Sequence, residues 1–195
     1  MGENEAYCAD SRRSRFIVRA FATGMLSAFG HNPTIAIRDF TGEAHFDPNA
    51  LEKASLQLRI KANSLEVADD ANDKDRREME RQMREDVLET ARFPEIVFES
   101  ATVLAEKIME GQYRVKINGK LALRGVIRNC EINAQVIASP DTLRAYGEFS
   151  LRQTDFGIKP VSAAGGTIKL KNELKLSFDI VCSKIEGQQC EQATV

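Results

Sequence analysis

Few side chains in this chain could do acid–base, nucleophilic or metal chemistry, and they are scattered. The two histidines are His31, within Phe29-Gly30-His31-Asn32-Pro33, and His45, between Ala44 and Phe46. Flanked by Gly, Asn and Pro, His31 belongs to a turn, where a histidine serves as a hydrogen-bonder or, near a carboxylate, as a general base. His45 points away from the face shared by Ala44 and Phe46 and is expected in solvent. Two histidines so placed do not define a metal site. Asp155, in Arg152-Gln153-Thr154-Asp155-Phe156-Gly157-Ile158-Lys159-Pro160, is the other candidate. One reading is a tight loop whose backbone Asp155 caps. The other puts Phe156 and Ile158 at a cavity mouth with Asp155 and Arg152 as polar handles. Asp-Phe-Gly also occurs in kinases, but no Gly-rich loop, strand lysine or catalytic-loop motif accompanies it.

Cys8, Cys130, Cys182 and Cys190 form no C-x-x-C pair and have no histidine at ligand spacing. They are expected to be free thiols in a reducing compartment, with Cys182 acting as a small hydrophobe. No nucleophile elbow, P-loop or dinucleotide fingerprint is present.

What must position these residues is a set of strands. From Thr167 to Cys182, Ile168, Leu170, Leu174, Leu176, Phe178 and Ile180 share one parity while Lys169, Lys171, Glu173, Lys175 and Asp179 share the other. That is a strand with one dry face, about 50 Å long if unbroken. The same period recurs at Phe16, Val18, Ala20 and Ala22; at Leu56, Leu58, Ile60 and Ala62; and at Ile96 and Phe98. It returns at Val115, Ile117, Leu121 and Leu123; at Ile132, Ala134, Val136 and Ala138; and at Leu143, Ala145, Phe149 and Leu151. With the stretch Thr34–Phe46, whose parity slips at a bulge near Arg38 and Asp39, about eight strands result. Strands this long suit a tall antiparallel barrel. One segment differs: from about Asp73 to Thr90 good helix formers carry Met79, Met83 and Val87 on a narrow stripe, and Phe93-Pro94 follows its end. This helix lies on the barrel, and its Arg/Glu face is solvated.

With 195 residues, a net charge of −2 and 43% hydrophobic residues, the chain fits one globular domain with no electrostatic footprint for nucleic acid. Residues 1–12 and 184–195 are expected to be polar tails around a domain spanning 13–183. No apolar run reaches a membrane span or a secretory h-region, so stable membrane insertion is not expected and the chain as given is expected in the cytoplasm.

In order along the chain, Phe29-Gly30-His31-Asn32, Asp39-Phe40-Thr41-Gly42, Phe46-Asp47-Pro48, Lys61-Ala62-Asn63-Ser64-Leu65, Arg92-Phe93-Pro94-Glu95-Ile96-Val97-Phe98-Glu99-Ser100, Gly119-Lys120-Leu121-Ala122-Leu123-Arg124-Gly125-Val126 and Arg152-Gln153-Thr154-Asp155-Phe156-Gly157 resemble the YceI family of lipocalin-like, polyisoprenoid-binding proteins. The chain departs from the family in lacking a His in the helical segment and in reading Asp86-Val87-Leu88 where Asp-Phe-Phe is usual. The resemblance implies an all-β, eight-stranded antiparallel lipocalin-like barrel with one inserted α-helix (about 73–90). It also implies a long isoprenoid or other apolar lipid as partner, no cofactor and no catalysis. Such barrels often pair, so a homodimer is a further expectation. The ligand-binding residues expected of the interior and rim are Phe16, Val18, Ala20, His31, Leu58, Ile60, Ala62, Phe98, Ile117, Ala134, Val136, Ala145, Phe149, Phe156, Ile158, Leu176 and Phe178. Two alternatives are a structural barrel filled by its own side chains and, less favoured, an enzyme using His31 and Asp155.

Overall fold

The computed structural model describes residues 5–23, 32–69, 71–163, 168–185 and 190; His31 lies outside them. Short strands β1 (Ala6–Ala9), β2 (Arg15–Arg19) and β3 (Ala22–Thr23) are followed by β4 (Thr34–Ile37) and β5 (Phe40–His45). Next come β6 (Ser55–Lys61), β7 (Leu65–Val67) and the helix α1 (Asp73–Gln82), which continues as one π turn over Met83–Val87. Long strands then dominate: β8 (Glu95–Met109), β9 (Gln112–Leu123), β10 (Val126–Ala138) and β11 (Thr142–Arg152). The short β12 (Ser162–Ala163) and β13 (Ile168–Leu170) precede the final β14 (Glu173–Ile185).

Antiparallel pairing runs β1-β5-β6-β8-β9-β10-β11-β14, and β14 pairs again with β1, closing an eight-stranded ring. Three of the eight staves are broken in two. β1 and β2 are halves of one, and β2 continues the pairing with β14 where β1 leaves off, Phe178 opposite Phe16. β4 and β5 are halves of another, separated at Arg38-Asp39, where the change of parity was expected. β6 and β7 flank a 3-10 turn, Ala62–Ser64. Alternation on β9 is complete: Tyr113, Val115, Ile117, Leu121 and Leu123 are buried and Arg114, Lys116 and Lys120 exposed. Each such inward row contributes apolar area at about 25 cal/mol per Å².

The expected single strand over 167–182 is two. β13 belongs to a small sheet with β3 and β12, and the chain turns at Lys171-Asn172 before β14. Asn172 holds that turn, accepting from the Thr154 amide at 2.9 Å through Oδ1.

The termini differ from expectation. β1 lies within the stretch 1–12 read as a tail, and Tyr7 is 2% exposed, its hydroxyl donating to Glu5 at 2.8 Å. The expectation of free thiols at Cys8 and Cys190 is overturned: the two form a disulfide, with Cα atoms 5.6 Å apart. Cys8 sits on β1 between β5 and β14, so this bridge ties the segment beyond β14 to the strand that closes the ring. Among the described cysteines, Cys130 and Cys182 are free. Burial pushes the Cys182 thiol up to about 12.

Two measurements check this arrangement. Leu176→Ala, on the inward face of β14, should lower unfolding free energy by about 2–5 kcal/mol, and Lys175→Ala, on the outward face, by less than about 0.5 kcal/mol in the same urea titration. Replacing both Cys8 and Cys190 by Ser should cost about 2–4 kcal/mol, and non-reducing peptide mapping of the native chain should recover residues 8 and 190 in one cross-linked species.

Candidate functional site

The ring is not filled. A cavity of about 960 Å³ runs along its axis, at the upper end of the roughly 300–1,000 Å³ typical of ligand sites. Its wall is almost wholly aliphatic and aromatic. Phe16 meets Phe40 and Phe178 edge-on, with centroids 6.3 and 6.2 Å apart, which suits the quadrupoles of the rings. Phe149 stands 6.3 Å from Phe178.

Most of the expected interior residues line this space: Phe16, Val18 and Ala20 at β2; Leu58 and Ile60 on β6; Phe98 on β8; Ile117 on β9; Ala134 and Val136 on β10; Ala145 and Phe149 on β11; Ile158 beyond it; Leu176 and Phe178 on β14. Two do not. The parity that pointed to Ala62 ends at Lys61, because the chain enters its 3-10 turn; Ala62 is 1% exposed and donates its amide to Pro94 O at 2.8 Å. Phe156 is buried on a 3-10 turn, Gln153–Phe156, outside the cavity lining. Asp155 and Arg152 are exposed and likewise away from it. Thus the structure does not gather the polar handles expected at the mouth. His45 shares the parity of Glu43 and meets its Oε1 at 2.9 Å.

The helix end of the barrel is where it opens. β8 begins opposite Lys61, so β7 pairs with β4 alone and its other edge faces α1. Glu80 of the helix accepts from the Val67 amide at 3.1 Å, capping an edge that would otherwise be bare. The helix starts at Asn72, whose side chain accepts from the Asp75 amide at 3.0 Å, as N-caps do. It turns Met79 inward, and the π turn turns Met83 and Val87 inward. These three, legible from their i, i+4, i+8 spacing, line the cavity. So do Asp69, Asn72, Asp75, Glu78 and Gln82, a polar rim that the sequence reading missed. On the other side of the opening stand Pro33, Val161 and Leu170.

One side chain knits this end together. The β9–β10 hairpin turns through Arg124 and Gly125, both at positive φ, 50° and 73°, the type I′ geometry favoured by sheet twist. Gly125 is required there twice over, since a Cβ would fall 2.6 Å from the Phe93 ring. From this turn Arg124 donates to Gly157 O at 2.7 Å and pairs with Glu89. It thereby joins the segment after α1, the hairpin and the loop after β11.

A family model described as YceI-like domain matches residues 9–182, nearly the whole ring and the helix. The chain belongs to the YceI family. Among solved structures it is similar to BcnA of Burkholderia cenocepacia, with 16% identity, TM-score 0.68, and 89% of this chain and 98% of that one covered. It is also similar to a polyisoprenoid binding domain from Saccharophagus degradans implicated in plant cell wall breakdown, with 15% identity, TM-score 0.66, and 92% and 98% covered. A YceI protein of Campylobacter jejuni matches at 18% identity and TM-score 0.61, over 78% of this chain and 85% of that one. At these identities the likeness shows the fold. No curated protein matches the chain. Among the described residues no helix is long and apolar enough to cross a membrane, and no group of three His, Cys, Asp or Glu side chains could hold a metal ion.

Removing the Arg124 clamp should loosen the open end: Arg124→Ala should cost about 1–3 kcal/mol in denaturant unfolding by leaving Glu89 and the Gly157 carbonyl without their partner. Arg124→Lys should recover only part of this, because an ammonium cannot reach both acceptors as a fork does.

Proposed function

We propose that this YceI-family barrel binds, and so stores, carries or sequesters, a lipid with a long isoprenoid chain, such as a polyprenyl or quinone tail, within its axial cavity. The observation that carries this reading is the cavity itself: about 960 Å³, open at the helix end and lined by apolar side chains from every long strand. A packed core leaves few voids larger than a water molecule, and this space is far larger. An interior of this kind is a container for a guest, which favours binding over a barrel packed solid with its own side chains. Each methylene buried in it contributes about 0.8 kcal/mol, so several isoprene units suffice for micromolar affinity without a charged contact. The flexible side chains of Met79 and Met83 at the opening suit a sliding, irregular apolar guest. The name of the Saccharophagus domain points the same way.

The reading needs no cofactor. We also infer that the protein works where disulfides persist, since a reducing cytoplasm would keep Cys8 and Cys190 as thiols.

Two alanines separate a cavity from a packed interior. Ala145→Phe should keep or raise the melting temperature while abolishing lipid in organic extracts of the purified protein, because its new ring enters open space. Ala62→Phe should destabilise by about 1–3 kcal/mol or more, because its surroundings are full. Wild-type protein without extractable lipid, together with early unfolding of Ala145→Phe, would sink the proposal.

A further inference from the structure

Resting on the reading that the cavity holds an isoprenoid tail, we propose that its rim selects lipids whose head group bears no negative charge, taking the free alcohol or a quinone and rejecting the phosphate or diphosphate of the same chain. A tail drawn into the barrel leaves its head at the opening beside α1. Four polar residues there are contributed by the helix and its cap: Asn72, Asp75, Glu78 and Gln82. Asp69 adds a third carboxylate. Among the described residues no lysine or arginine lines the cavity, and by sequence the stretches 24–31 and 164–167 contain none either.

Two of the nearby cations, Arg76 and Arg81, are hydrogen-bonded within the helix and the turn before it. Arg76 donates to the backbone carbonyls of Asp69 and Ala71, the latter at 3.1 Å. Arg81 grips Glu78 through Nη2 at 2.7 Å, and of the two only Glu78 belongs to the lining. These hydrogen bonds hold the Glu78 carboxyl below its usual range, and it stays ionised. Lys169 and Lys171 flank the lining residue Leu170, are exposed and lie outside the lining.

The start of α1 would ordinarily attract an anion through its free amides and dipole. Here that attraction is spent. Asn72 Oδ1 accepts from the Asp75 amide, and Asp73 and Asp75 place two carboxylates in the first turn. A phosphate at the opening would therefore meet three carboxylates and no cation in the lining, whereas an uncharged hydroxyl or quinone carbonyl would meet no such repulsion.

The test compares geranylgeraniol with geranylgeranyl phosphate by competition against a bound fluorescent fatty alcohol, at low and high salt. Wild type should bind the alcohol about tenfold tighter or more at low salt, and screening should shrink the ratio as salt rises. In the double variant Asp75→Asn with Glu78→Gln, phosphate affinity should rise and alcohol affinity stay within about twofold, with melting curves confirming the fold; Asp69 is left intact because its Oδ2 accepts from the Thr34 amide. Equal wild-type affinities, or a ratio that the double variant does not change, would overturn the selectivity and leave the isoprenoid reading standing. Binding of neither lipid would overturn that reading, and the selectivity with it.

Discussion

An interior exists in this protein because the stave made of β1 and β2 pairs with β14 along one edge and with β5 and β4 along the other. A sheet of eight strands with two open edges would expose two rows of unpaired amides and carbonyls and would flatten or aggregate. Closure removes the edges and fixes the circumference. For eight strands that circumference leaves a lumen wide enough for side chains or one slender guest. The choice between those two fillings then rests on side-chain size. Ala134 and Ala145 face each other's strands near Gly147, where a Cβ would come within 2.4 Å of Asn133 O, and these small inward positions keep the axis open.

The same constraint explains the irregularities. Staves that stay whole, β8 to β11 and β14, make the wall. Those broken in two are interrupted at 10–14, Arg38-Asp39 and Ala62–Ser64. Beyond the last of these, β7 parts from β8 and the barrel gains an opening, and the exposed edge is covered by α1 through Glu80. Arg124 holds the margins of that opening together from a left-handed backbone position that a non-glycine residue adopts at a cost. The acidic rim is a by-product of the same helix: its N-terminal turns need carboxylates for their own stability and present them to whatever enters.

Much of the wall was legible from residue order, because period-two alternation on β9, β11 and β14 and on the second half of β10 tells inward from outward directly. Legibility failed where the backbone changed state without changing pattern. Ala62 continues the parity of Leu58 and Ile60 but belongs to a tight turn, and Phe156 continues the loop's apolar series but packs beside the lumen. β1 was hidden by brevity, since Ala6-Tyr7-Cys8-Ala9 is too short to show a period among charged neighbours. The partner of Cys8 was hidden because spacing carries no pairing information. Asp75 and Glu78 could not be told from the other acids of their segment, since the rotation of α1 about its axis decides which of them face the opening.

The ring's closing seam joins the first strand to the last, with Ala6 opposite Ile185 and a disulfide spanning 182 residues. Such a seam is of high contact order and has to wait for nearly the whole chain. A polypeptide emerging from its N-terminus would hold the outer edge of β1 unpaired, and the apolar inward rows of the hairpins exposed, until β14 arrives. The container thus comes into being in its final step. A lipid present at that moment would have an open-sided trough to enter, whereas one arriving later would have to thread the opening beside the helix, so the filling of this protein is tied to its birth as well as to its equilibrium affinity.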